Sequence, residues 1–110
     1  MGGYTASWTA ASEQYKYFSN PDNGYINGSV VEIKTVGDIP SVIQESGIQI
    51  GDLMYFAGED GNSPHHAAMI TKIDNKEIYF SAMTTSRSDE PLSERMKEVV
   101  LIVKIKNDAK

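Results

Sequence analysis

His65 and His66 are the chain's two imidazoles, and they lead into the apolar run HAAMITKI at 66–73. An imidazole gains and loses a proton near neutral pH, which makes it the first candidate for a general base or a metal ligand. Neighbouring residues in a strand point to opposite faces. If a strand begins here, His66 shares a face with Ala68 and Ile70, and His65 shares one with Ala67, Met69 and Thr71. One histidine can then face a cleft while the other faces solvent, and the pair is poorly placed to chelate one metal. A lone histidine is more often structural or simply exposed, so its surroundings must carry any functional reading.

The other chemical groups narrow the options. The chain has no cysteine, hence no thiolate nucleophile, no cysteine-ligated metal and no disulfide within these residues. Ser81 and Ser86 lie near the histidines in sequence, but neither sits in a Gly-x-Ser-x-Gly elbow. The loop around Glu59–Ser63 gathers acidic and amide oxygens between glycines. It falls short of EF-hand spacing and reads as a solvent loop. Asp52, after Gly51, reads as a turn and hydrogen-bonding residue. Trp8, Tyr15 and Tyr17 could line a glycan or peptide groove, although aromatic residues at helical spacing are more often core. Arg87, Asp89 and Glu90 read as a surface charge cluster. No metal site and no cofactor is expected.

The elements that must position these residues follow from periodicity. Trp8, Ala11, Tyr15 and Phe18 form one helical stripe, with Thr5 or Ser7 as its expected cap and SNPDNG at 19–24 as its stop. VVEIKT at 30–35 is a candidate strand. IPSVIQESG at 39–47 predicts a short helix with Pro40 in its first turn and Gly47 as its end. Four strand-like runs follow: 52–57, 66–73, 77–83 and 98–105, with Asp74-Asn75-Lys76 as a hairpin turn between the second and third. The last run, EVVLIVKI, is almost continuously apolar and belongs inside a sheet. TTSRSDEPLSERMK at 84–97 reads as a long polar loop with one helical turn. A helix followed by strands on short turns predicts an α+β fold, with the helix packed on one face of an antiparallel sheet. Parallel βαβ units would need crossover helices that the sequence lacks.

Bulk properties exclude several function classes. The 110 residues suit a single domain without repeats or low-complexity tracts. Ten Lys and Arg against fifteen Asp and Glu give a net charge of −5, which argues against non-specific nucleic-acid binding. No apolar run approaches the ~20 residues that span a bilayer. The start, MGGYTASW, has neither the charged nor the apolar region of a signal peptide, and the composition does not disclose a compartment.

Taken together, SWTAASEQYKYF (7–18), GDLMYF (51–56), HAAMITKID (66–74), IYFSAMTTSR (78–87) and DEPLSE (89–94) form a series that resembles a known family. The resemblance is to papain-like cysteine hydrolases of the NlpC/P60 and CHAP type, and most closely to the bacterial putative amidase domain of the amidase family 6 type. In such families a cysteine thiolate attacks an amide carbonyl, a histidine relays the proton and a third polar side chain orients the imidazole. The resemblance assigns His66 to the general base. It places Met83 at the orienting position, where a thioether is a poor hydrogen-bond acceptor. Thr84 or Thr85 could replace it only by a shift of register, which changes the strand face. The family's cysteine opens a helix in a segment upstream of the tryptophan-bearing helix. The resemblance therefore implies that residues 1–110 are the C-terminal part of an incomplete papain-like domain, inactive by itself. It also implies a peptide or peptidoglycan-like substrate and an extracellular or cell-envelope setting. Two further expectations follow: a non-catalytic module binding peptide or glycan, and self-association through apolar surface left uncovered by the absent segment.

Overall fold

The computed structural model describes residues 2–82 and 89–106. The first helix, α1, runs Gly2–Ser19. It begins before both expected caps, so Thr5 and Ser7 lie within the helix and not at its start. A cap preference is a local effect of only about 1 kcal/mol, and a helix that continues past it gains a hydrogen bond per added residue. Of the aromatic stripe, Ala11 is buried, Tyr15 and Phe18 pack on the sheet, and only the backbone of Trp8 is described. α1 stops as predicted. Asn20 Oδ1 accepts from Asp22 N–H, Pro21 opens a one-turn 3-10 segment, and Gly24 closes it at φ 79°.

β1 (Val31–Ile33) is followed by a bend that the Asp38 carboxylate closes by accepting the N–H groups of Lys34 and Thr35. α2 (Ile39–Glu45) carries Pro40 in its first turn and ends before Gly47, which sits at φ 74°. β2 (Leu53–Phe56), β3 (His66–Ile73) and β4 (Ile78–Ala82) form a meander. In the turn between β3 and β4, Asp74 Oδ1 accepts from Lys76 and Glu77 N–H at 2.9 and 2.8 Å. Within the expected polar loop lie a two-residue strand, β5 (Glu90–Pro91), and the anticipated single helical turn, α3 (Leu92–Arg95). β6 (Val100–Val103) is the last of the described strands, with a further bridge between Ile26 and Ile105.

Among the described residues the sheet has six strands in the order β1-β6-β2-β3-β4-β5, every pairing antiparallel. β6 enters between β1 and β2, and all four of its residues are buried, as its unbroken apolar run requires. The fold is thus the expected α+β class, but both sheet faces are covered. α1 packs over Leu53, Tyr55, Leu101 and Val103. On the other face α2 and α3 bring Ile39, Val42, Ile43 and Leu92 onto Ile33, Phe56, Ile70, Phe80 and Ile102. Burying each of these larger side chains stabilises the fold by about 2 kcal/mol relative to exposure. Among the described residues no helix is long and apolar enough to cross a membrane.

Candidate active site

The path to the histidines starts at Gly51 and Asp52. Gly51 adopts φ 98°, a conformation open to glycine, and its N–H donates to Ile70 O. The Asp52 side chain is almost fully enclosed. Its carboxylate accepts from Gln49 N–H at 2.7 Å and from Ile105 N–H at 3.0 Å. Those bonds compensate for taking the charge out of water. They fix the start of β2 against the end of β6, so Asp52 has the turn and hydrogen-bonding role read from its sequence position.

β2 in turn fixes β3. Phe56 pairs with His66 across β2 and β3, with Val100 across β2 and β6, and Val100 pairs with Ile33. One register row therefore runs Ile33, Val100, Phe56, His66 across four strands. His66 is the first residue of β3 and is half-buried. Its ring centroid stands 5.7 Å from that of Phe56, which is 5.4 Å from that of Phe80. The structure thus places His66 on the face shared with Ala68 and Ile70, as the alternation requires. The expected orienting position, Met83, lies outside the described residues, as do Ser86 and Arg87. Ser81 is paired in the β3–β4 ladder opposite Met69, not Ala68.

His65 departs from the expectation of simple solvent exposure. Its Nε2 lies 2.5 Å from Glu98 Oε1, and the same oxygen accepts from Gly58 N–H at 2.7 Å. The imidazole is 48% exposed and the carboxylate 21%. Glu98 therefore ties both ends of the loop between β2 and β3 to the head of β6. That loop is closed further by Ser63 N–H on Ala57 O and by Asp60 Oδ1 on Asn62 N–H. Gly61 within it sits at φ 78°, where an added Cβ would come within 3.0 Å of Glu32 and Val99. Sequence reasoning missed the His65–Glu98 pair. The available signal was a lone carboxylate heading an otherwise apolar strand.

Beside Glu98, at the same end of the sheet, an open cavity of about 210 Å³ lies between the ends of β1 and β2 and the head of β6. Among the described residues no three His, Asp or Glu side chains converge as metal ligands would. Asp89 accepts from the Thr71 hydroxyl at 2.7 Å, and Glu90 pairs with Arg95 at 2.7 Å. Tyr17 is half exposed, in ring contact with Phe18 and Tyr25, whereas Tyr15 turns to Tyr55. Among the described side chains, Tyr15 and Tyr17 therefore do not line a common groove with His66.

Searches of the curated proteins and of the solved structures return no match. The family model described as a putative amidase domain matches residues 2–105, nearly the whole chain, and the protein accordingly belongs to the putative amidase domain family.

Proposed function

We propose that this chain is the histidine-bearing, C-terminal part of a cysteine amidase of the papain-like NlpC/P60 and CHAP kind, acting on amide bonds of cell-wall peptides. The family match over residues 2–105 carries the reading. In it, His66 takes the proton of a cysteine thiol supplied from outside these 110 residues. The thiolate sulfur attacks the amide carbonyl carbon, and the tetrahedral intermediate collapses as the imidazolium gives its proton to the leaving amine. Water, deprotonated by the same imidazole, then hydrolyses the thioester and frees the thiol. The placement of His66 beside Phe56 supports the role, since a ring packed on one side has few orientations to lose. At the position expected for an orienting side chain, Met83 offers a thioether, so the pair would work without the usual third member.

Joining a cysteine-bearing family segment upstream should give thiol-dependent hydrolysis of a cell-wall peptide. In that enzyme His66→Ala should lower kcat/KM at least about a hundredfold with the melting temperature unchanged. Undiminished activity in that variant would remove His66 from the mechanism. Met83 at the orienting position, together with the open cavity beside Glu98, favours a second reading: an amidase-like module that binds peptide or glycan without cutting it. Isothermal titration against cell-wall fragments, silent at millimolar ligand, would contradict that second reading.

A further inference from the structure

The cavity beside Glu98 has a lining unlike the sheet core next to it. It joins two carboxylates, Glu59 and Glu98, two ammonium groups, Lys34 and Lys97, and the aliphatic surfaces of Val36 and Met96. Glu98 is the best held of the four charges. Gly58 N–H and His65 Nε2 both engage its Oε1, and among the described residues no contact falls on Oε2. A positioned acceptor is therefore available to a donor inside the cavity. Lys34 makes only a long, exposed contact with Glu32 at 3.8 Å, which competes weakly for its charge. Val36 is 42% exposed, a large apolar side chain that a ligand would cover.

From this lining we infer that the cavity binds the end of a small zwitterion, an amino acid or short peptide with both a free ammonium and a free carboxylate. The ammonium donates to Glu98 Oε2 and Glu59, the carboxylate accepts from Lys34 and Lys97, and the aliphatic part lies on Val36 and Met96. A ligand with one charge only would engage one pair of like charges and leave the other pair without a partner on the ligand, so both ends are read together. The inference deepens the amidase reading, on which its relevance to a peptide substrate rests. Binding itself requires neither the thiol nor His66.

The test is a titration of the ¹⁵N-labelled 110-residue chain, followed by amide chemical shifts. The probes are L-alanyl-L-alanine, its N-acetyl derivative and its C-terminal amide. The free dipeptide should saturate at millimolar concentration and shift the amides of Thr35, Gly58 and Val99. Each blocked form should bind about tenfold more weakly, the loss expected for one charge-assisted hydrogen bond. Lys97→Met, an exposed change that spares the fold, should weaken the dipeptide while leaving the C-terminal amide unchanged. Glu98→Gln should do the converse for the N-acetyl form. Equal binding of all three probes, shifts confined to other amides, or no shifts at tens of millimolar would each overturn the inference. Because the test needs no catalysis, dipeptide binding with an inactive reconstituted enzyme would sink the amidase reading alone. Hydrolysis without binding would sink the cavity assignment alone.

Discussion

Asp52 and Glu98 close opposite ends of the β2–β6 pairing. Asp52 holds the Ile105 N–H beyond one end, and Glu98 holds the Gly58 N–H beyond the other. The chemical group is the same and so is the kind of backbone contact, but the surroundings differ. Asp52 is 1% exposed, and its second oxygen is taken by Gln49 N–H. Glu98 is partly open, faces an imidazole and borders a cavity. A carboxylate enclosed by backbone donors is committed to the fold. One held by a single oxygen at a cavity rim keeps an acceptor for something else.

That comparison predicts a ranked series. Asp52→Ala should cost the most, about 3 kcal/mol in urea or thermal unfolding, since two backbone N–H groups lose their acceptor in a closed site. A loss below that of the other variants would mean that solvent reaches the turn. Gly61→Ala should follow at about 2 kcal/mol, because the side chain meets both an unfavourable φ and a 3.0 Å contact. Glu98→Ala should cost about 1 kcal/mol, its bonds being partly replaced by water. A loss as large as that of Asp52→Ala would make Glu98 a carboxylate committed to the fold, like Asp52.

The smallest effect belongs to Asp74, a fully exposed carboxylate at the β3–β4 turn. The Lys76 N–H, then the Glu77 N–H and the Tyr79 hydroxyl, hold its carboxyl below the usual range against a smaller opposing effect of desolvation. A lowered folded-state pKa means stabilisation that is present above the unfolded value and lost as pH falls through the folded one. Asp74→Asn should therefore be slightly less stable than the parent at neutral pH, and the gap should close under strongly acidic conditions. A gap that widened on acidification would show the assignment to be reversed.

The sequence reveals the strands more readily than their partners. β2, β3 and β6 stand out as apolar runs because each is bounded by turn residues and long enough for period and burial to register. β5 does not, since Glu90 and Pro91 become a strand only by pairing with Phe80 and Tyr79. Pro40 and Gly47 marked α2, but nothing local showed that Val42 and Ile43 would cover a second sheet face. The same boundary divides the site. His66 at the head of a strand was legible from its own neighbours. The His65–Glu98 bond joins residues 33 apart and depends on β6 returning beside β2, a consequence of topology that no local pattern encodes. Gly51-Asp52 read correctly as a turn, whereas the reach of its carboxylate to Ile105, 53 residues on, did not show.

The central claim is that His66 serves a cysteine outside these 110 residues. Intact mass of the native gene product from its source cells, measured with and without a thiol-alkylating reagent, tests it most directly. The expected product is well above 12.1 kDa and gains at least one alkyl group. A product near 12.1 kDa that takes up no label would contradict it, and the non-catalytic binding module would become the better description.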